Sequence, residues 1–304
     1  MSARQPLPNI TVAQLDYLTA AIDHPTWAAA AASLGVSQSA LSQGLSELQR
    51  RLGVELFERQ GRRRVPHPRA EPVVAHARQV LAHTADLAQW AQRVRSGAGG
   101  RLRLGMIDAA AVDHFGSTLR SFRDAHPDID LHLQVGPSSQ MLTSLRSGDI
   151  DLAVCVTPPD AALHLTPSHV TPLHITPLLT EPLSIYAPDG KRAGPASGWG
   201  PWVTFPSGSL TRELIATELR AAGARFEVVA ESHQPEVLRE MVQLGLGWTV
   251  LPRTQAERAP APLVRARAAP LLHRQLVAVR RTSAAPDPAA EALVGTLVAV
   301  SARG

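Results

Sequence analysis

The segment SQSALSQ, residues 37–43, carries side chains that can read the edges of base pairs. It contains serine and glutamine but no charged residue, and it follows the glycine turn Gly35-Val36. A glutamine amide can bond to N6 and N7 of adenine together, and a serine hydroxyl suits a base or a phosphate. At the start of a helix such groups can enter the major groove. The candidate base-reading residues are Ser37, Gln38, Ser39, Ser42 and Gln43.

The same segment also fits a purely structural role. Ser37 can cap the N-terminus of a helix that runs to Leu52, and polar residues are common on exposed helix faces. Along this helix a leucine stripe at i, i+4, i+7 and i+11 predicts one buried face, formed by Leu41, Leu45, Leu48 and Leu52. The residue types alone leave both interpretations open.

Positive charge is concentrated in the first third of the chain. Residues 1–95 carry 11 arginines and 7 acidic residues, whereas the remainder carries 19 basic and 19 acidic residues. Such an asymmetry is typical of a nucleic-acid-binding module joined to a neutral body.

Because phosphate neutralisation supplies much of the affinity for DNA, we expect Arg63→Ala to weaken binding to all sequences, and Gln43→Ala to change sequence preference. The candidate hydrogen-bond donors to DNA phosphates are Arg50, Arg51, Arg59, Arg62, Arg63 and Arg64.

Helices are predicted to position these residues. Thr11 and Gln14 form a capping-box pattern before a first amphipathic helix, and Thr26 can cap an alanine-rich second helix. A short helix, a glycine turn and a second amphipathic helix are typical of a helix-turn-helix. The following segment VELFERQGRRRV predicts a β-hairpin wing around Gln60-Gly61.

A long helix and a linker are predicted next. Apolar positions between His67 and Val94 trace a stripe along one helix, and a second copy of that helix is the simplest partner for it. Pro72 should kink or restart this helix. The segment SGAGG, residues 96–100, is typical of a flexible linker.

Beyond residue 100, strands and helices alternate. Predicted strands at 102–106, 129–135 and 150–156, with helices near 112–125 and 138–147, indicate a parallel βαβ arrangement. A second such unit runs from Trp202 to Leu251. The strand LVAVRR (276–281) and a final helix near 288–301 return the chain to the first unit, so two α/β lobes should enclose a hinged cleft.

The order of these motifs resembles that of the LysR-type transcriptional regulators. The matching N-terminal stretch is LDYLTAAIDHPTWAAAAASLGVSQSALSQGLSELQRRLGVELFER. Further matches are RLRLGMI, FRDAHPDIDLHL, SLRSGDIDLAV, LLTEPLSIYAP and LGLGWTVLP, so that the resemblance covers almost the whole chain.

The resemblance implies an α/β multidomain protein with a two-lobed C-terminal domain like the periplasmic binding proteins. We expect a winged helix-turn-helix at 1–67, a dimerisation helix at 68–96, and an effector-binding domain at 101–304. Lobe I would comprise about 101–182 and 267–304, and lobe II about 183–266. The implied function is sequence-specific transcriptional regulation, with double-stranded promoter DNA, a small-molecule effector, and a homodimer or homotetramer as partners.

The chain departs from the family pattern at three places. Gln43 stands where relatives often have arginine, the segment Pro66–Ala70 replaces a common Leu-Thr-x-x-Gly motif, and Pro72 lies early in the linker helix. These departures affect the expected half-site contacts and the first turn of the linker helix. They leave the expected fold unchanged.

Effector contacts are expected at the carboxyl ends of strands and at helix N-termini. A carboxylate at Asp108, where many relatives have serine or threonine, leads to the hypothesis of an effector with a cationic or amino group. The alternative is a surface acid that caps the next helix. The candidate effector-binding residues are Asp108, Ser138, Ser139, Thr204, Ser207, His233, Gln234 and Trp248.

Other functions find little support in the sequence. It contains no HExxH, CxxC, Walker lysine or GxSxG pattern, so we expect neither an enzyme nor a cofactor. The remaining alternative is a cytoplasmic solute-binding or enzyme-like α/β protein without a DNA function.

The repeat of His164, His169 and His174 has spacing unsuited to a metal site and predicts an extended segment near the hinge.

The expected location is the cytoplasm, without a membrane partner. No apolar run approaches the ~18 residues that cross a bilayer, and the N-terminus lacks the apolar core of a signal peptide. The single cysteine, Cys155, lies in the apolar run DLAVCV and predicts a buried thiol in a reducing compartment.

Overall fold

The computed structural model describes residues 9–60, 63–96, 100–157, 173–282 and 287–302. Their buried apolar side chains form three clusters, one in the N-terminal helices and one in each of two α/β lobes. Within these ranges every helix is too short or too polar to cross a lipid bilayer.

The N-terminal cluster is built by three helices, a hairpin and the beginning of the long helix that follows. Thr11 and Gln14 form the capping box of the first helix, and Thr26 and Ser37 cap the next two through their side chains. The elements are α1 (Val12–Asp23), α2 (Trp27–Ser33), α3 (Gln38–Leu52), β1 (Phe57–Gln60) and β2 (Arg63–Pro66).

Helix α3 packs on α1 through its leucine face and through a close approach at Gly44. Leu41, Leu45 and Leu48 are at most 1% exposed. A Cβ atom on Gly44 would lie 2.5 Å from Cδ2 of Tyr17 on α1, which is closer than any real contact. The side of α3 that carries the leucines is therefore fixed against the helical core.

The long helix α4 (Glu71–Ser96) follows a 3-10 turn at Pro68–Ala70. Pro72 is the second residue of α4, in the first turn, where no N–H is needed for an intrahelical hydrogen bond. The chain therefore restarts as a helix at Glu71, and Pro72 interrupts nothing further along.

The first lobe begins with the predicted parallel arrangement. β3 (Gly100–Met106) pairs in parallel with β4 (Ile129–Val135) and with β5 (Leu152–Thr157). Two helices, α5 (Gly116–Ala125) and α6 (Ser138–Ser147), connect these strands. A π-helical turn at Ala110–His114, which the sequence did not predict, precedes α5.

A long strand, β6 (Leu173–Tyr186), leads into the second lobe. Its elements are β7 (Trp202–Thr204), α7 (Leu210–Ala221), β8 (Val228–Glu231), α8 (Pro235–Gln243), β9 (Thr249–Pro252) and α9 (Arg253–Ala256). β7 and β8 pair in parallel, and a parallel bridge links Trp202 of β7 to Trp248, just before β9, as predicted for the second unit. β9 itself pairs antiparallel with β6, which ties this unit to the long sheet.

The chain returns through β10 (Leu272–Arg281) and ends in α10 (Pro288–Ser301). β10 lies between β5 and β6, antiparallel to both, in a sheet of order β4-β3-β5-β10-β6-β9. Leu272 belongs to the core of the second lobe, whereas Leu276 belongs to that of the first. Strands β6 and β10 thus join the lobes. β10 is longer than the predicted strand at 276–281, and β6 was not predicted as a strand.

Candidate nucleic-acid interface and interlobe cleft

The predicted base-reading residues lie on the outer surface of α3. Ser37, Gln38, Ser39 and Gln43 are exposed, and Ser42 is half-buried. Since successive residues turn by about 100° around a helix axis, Ser39, Ser42 and Gln43 lie across from the buried leucines. Ser46, which the sequence interpretation did not include, extends this face by one turn and donates to the backbone oxygen of Ser42 over 2.8 Å.

Ser37 does cap α3. Its Oγ atom accepts from the backbone N–H of Ala40 over 3.1 Å and lies 2.9 Å from the hydroxyl of Ser39. Its hydroxyl is exposed nevertheless, so capping and a contact outside the protein are compatible.

Arg50 and Arg51 both pair with Glu47 at the end of α3. Arg50 donates from Nε over 2.8 Å and from Nη2 over 2.6 Å, and the hydrogen bonds from Arg50 and Arg51 lower the pKa of Glu47 to about 2. Arg51 also donates to the backbone oxygen of Asn9. With 72% of its side chain exposed against 27% for Arg51, Arg50 is the more accessible donor.

The wing places further arginines beside α2. Arg59 and Arg64 are register partners in the hairpin, and both are exposed. The guanidinium of Arg64 lies 4.6 Å from the ring centroid of Trp27, a cation–π contact that holds the wing against α2. Arg63 lies on β2, and Arg62 lies outside the described residues.

A cleft of about 900 Å³ lies between the two lobes. It is bordered by the carboxyl ends of β3 and β5 and by the first turns of α6, α7 and α8, which is where α/β folds usually place ligands. Six of the eight predicted effector-binding residues line it, namely Asp108, Ser138, Ser139, Ser207, His233 and Gln234.

Thr204 and Trp248 do not line the cleft. Thr204 is 2% exposed, and the next residue, Phe205, faces the cleft instead, because neighbouring residues of a strand point to opposite sides. Trp248 is 8% exposed and packs edge-on against Trp202 in the core of the second lobe, with 6.2 Å between ring centroids. Thr204 ends β7, as predicted, whereas Trp248 lies just before β9 begins, and the side chains of both are buried in the second lobe.

The sequence interpretation missed a charged cluster between the two long strands. Arg274 of β10 pairs with Glu181 of β6 over 2.5 Å, donates to Oγ1 of Thr211 over 3.1 Å, and lines the cleft. The ring of His114 lies 3.0 Å from the other oxygen of Glu181. Burial opposes ionisation of Glu181, but Arg274 and His114 outweigh it, so the pKa of Glu181 lies below its ordinary value.

Acceptor groups gather at one part of the cleft. Gln255 of α9 donates from Nε2 to Asp108 over 3.3 Å, and Glu236 of α8 lies nearby on the same cleft surface. Burial, and then the carboxylates of Glu236 and Asp113, raise the pKa of Asp108. Neither Gln255 nor Glu236 was predicted, because two helices distant in sequence bring them to Asp108.

A winged helix-turn-helix, a long helix and a two-lobed domain with a cleft define a class of ligand-responsive transcriptional regulators. Two family models match the chain: the bacterial regulatory helix-turn-helix of the lysR family over residues 12–71, and the LysR substrate binding domain over residues 95–302. The chain belongs to the LysR family of transcriptional regulators, which are not enzymes.

Curated relatives include two described as probable hydrogen peroxide-inducible genes activators. The protein from Streptomyces viridosporus is 35% identical over 155 residues, and this match spans 51% of the chain and 48% of the relative. The protein from Mycobacterium avium is 28% identical over 299 residues, which is 94% of the chain and 93% of the relative.

A similar solved structure is that of a full-length OxyR variant from Pseudomonas aeruginosa. It is 21% identical in sequence, with a TM-score of 0.65 over 96% of this chain and 95% of that one. At this identity, the likeness shows a shared fold over nearly the whole chain.

Proposed function

We propose that α3 reads operator DNA in the major groove and that the cleft between the lobes binds the effector. DNA reading by α3 is supported by the uncharged polar face of Ser39, Ser42 and Gln43 on a capped, rigidly packed helix. Short hydroxyl and amide groups on such a face suit base edges. The added Ser46 extends the proposed reading surface by one turn.

Affinity would come from the arginines around this face rather than from the face itself. Arg50 at the end of α3 and Arg59 on the wing are exposed, where phosphate oxygens of a docked duplex would lie. Arg64 combines this role with its contact to Trp27. We extend the same role to Arg51, Arg62 and Arg63.

A second copy of the chain is the proposed partner of α4. Leu87 and Trp90 on this helix are 59% and 43% exposed, which is unusual for large apolar side chains that follow one another on one helix. Pairing through α4 would place two recognition helices on two half-sites of one operator. The proposed units are residues 1–67 for DNA binding, 68–96 for dimerisation and 101–304 for effector binding. The proposed location is the cytoplasm, where bacterial DNA lies.

The base-reading proposal is tested with operator DNA selected by the wild-type protein from a random library. Gln43→Ala should reduce discrimination at one or two base positions by about 1–3 kcal/mol while leaving affinity for random DNA unchanged. Arg59→Ala should instead weaken both affinities alike and reduce the slope of log K against log salt by about 1. Equal loss on selected and random DNA for Gln43→Ala would contradict base reading.

A further inference from the structure

Part of the cleft surface presents hydrogen-bond acceptors without enough donors. Gln255 is 6% exposed and lines the cleft, and within the described ranges its Oε1 atom has no hydrogen-bond partner. Leaving a buried amide oxygen unpaired costs free energy, whereas a donor from a ligand would satisfy it. Its amide nitrogen donates to Asp108, so the two side chains are neighbours in the cleft lining and together form an acceptor-rich patch.

The cations near this patch are engaged with other carboxylates. The neighbouring Asp113 lies 3.6 Å from Arg258, and Arg274 is paired with Glu181. Glu236 lies in the first turn of α8, where the helix N-terminus favours a carboxylate. Asp108 has only the neutral amide of Gln255 as a donor among the side chains described here.

Another part of the cleft presents donors. Helix α6 begins at Ser138 and Ser139 with no side-chain cap and no acidic residue in its first turn. The hydroxyl of Ser138 accepts from the backbone N–H of Val156 over 3.1 Å, which holds this terminus at the end of β5. Free first-turn amides and the two hydroxyls favour an anionic group. The oxygen of Thr211 accepts from Arg274, so its own proton also remains available to a ligand.

We propose that the cleft binds a small amphoteric ligand with an amine and a carboxylate. The protonated amine would lie against Asp108 and Oε1 of Gln255, with Glu236 adding negative charge, and the carboxylate would lie at the N-terminus of α6. This inference rests on the proposed effector role of the cleft and names the chemical class of its occupant.

The test measures thermal unfolding of the full-length protein with each standard amino acid at millimolar concentration. At least one should raise Tm. For that amino acid, the matching carboxylic acid without the amine and the matching amine without the carboxylate should each bind about tenfold more weakly or worse, because each lacks one charge-assisted set of hydrogen bonds. Equal binding of the carboxylic acid alone, or no binding of any amino acid, overturns the proposal.

Two variants test where the amine of the ligand binds. Asp108→Asn should weaken binding of the amino acid about tenfold or more and leave binding of the matching carboxylic acid unchanged. Glu236→Gln should also weaken binding of the amino acid, by a smaller factor, and leave binding of the carboxylic acid unchanged. Glu240→Gln removes an equal charge from an exposed position on the same helix outside the cleft lining, and it should change neither affinity.

DNA binding by the same preparations separates failure of this inference from failure of the proposed function. If the wild type binds its selected operator and an acid without an amine occupies the cleft, the regulator function stands and the amphoteric ligand is wrong. If the wild type shows no operator preference, the proposed function itself fails.

Discussion

Asp86 of α4 accepts a hydrogen bond from Nη2 of Arg281, at the end of β10, over 2.6 Å. Arg281 is 7% exposed and also donates to the backbone oxygens of Leu145 and Ile150, the latter over 2.9 Å. Close by, a Cβ on Gly148 would lie 2.7 Å from Cβ of Ala82. Helix α4 is therefore docked on the first lobe by a buried ion pair and a tight backbone approach.

We expect Asp86→Asn to loosen this docking. The variant keeps the shape of the side chain but leaves the buried charge of Arg281 without a counter-charge, which should cost about 3 kcal/mol in the free energy of unfolding measured in urea. Asp23→Asn is the matched control, since Asp23 pairs at the surface with Arg78, which also belongs to α4. Its cost should stay below about 1 kcal/mol, and similar costs for both variants would contradict the buried docking.

Glu181→Gln should destabilise the connection between the lobes by about 3 kcal/mol, because it leaves Arg274 buried and unpaired. Since the pKa of Glu181 lies below its ordinary value of 4.5, its ionised form stabilises the fold. That contribution is complete above the ordinary value and is lost as pH falls through the lowered pKa. The difference between wild type and variant should therefore shrink under acid conditions in urea titrations at several pH values.

The control for Glu181 is Glu291→Gln. Glu291 pairs with Arg280 of strand β10, but 55% of its side chain is exposed. We expect a change within about 0.5 kcal/mol. A pH-independent effect of Glu181→Gln would argue that the variant acts through packing rather than through charge.

Gly44→Ala tests the contact that orients the proposed recognition helix. The added methyl group would meet the ring of Tyr17, and this overpacking should cost about 1–3 kcal/mol of stability and weaken operator binding. Gly295→Ala, also inside a helix, meets nothing within 4 Å and should stabilise the protein by up to about 1 kcal/mol. Thermal unfolding and operator titration of both variants measure these changes, and an unaltered Gly44→Ala protein would mean that α1 and α3 can move apart.

Direct peroxide sensing through a thiol is not expected, although the two curated relatives described above are named probable hydrogen peroxide-inducible genes activators. Cys155 is the one cysteine of the chain, is fully buried in β5, and has its pKa raised by burial to about 12. Peroxide oxidises the thiolate, so the native thiol should resist it. Mass spectrometry should find Cys155 reduced after peroxide treatment of the native protein and oxidised after treatment in denaturant; oxidation at equal rates would contradict this expectation.

The sequence predicted the N-terminal helical domain well because its signals are local. The caps Thr11, Thr26 and Ser37 appear in the structure, and three of the four leucines predicted for the buried face of α3 are buried, whereas Leu52 is half-buried. These signals act within a few helical turns. The family resemblance supplied the order of the elements that follow.

The cleft was predicted only in part, because its chemistry depends on contacts between distant segments. Arg274 and Glu181 are 93 residues apart, and only the sheet order brings them together. A signal was nevertheless present: Glu181 is the one acidic residue in the segment that forms β6, Arg274 lies in the segment that forms β10, and opposite charges in two buried strands need one another. Thr204 and Trp248 failed as cleft residues for a different reason, since a position at the end of a strand does not specify which face the side chain occupies.

Strand β10 carries Arg274 at the cleft and Arg281 at the docking site of α4. Paired on both sides, it cannot slip by one residue without turning its side chains to the wrong faces. The other groups that border the cleft lie mainly on loops and helix ends, outside this strand. Most of the cleft lining therefore lies outside the strand that reaches from the cleft to α4, so that substitutions in the loops can change the lining and leave this strand in place.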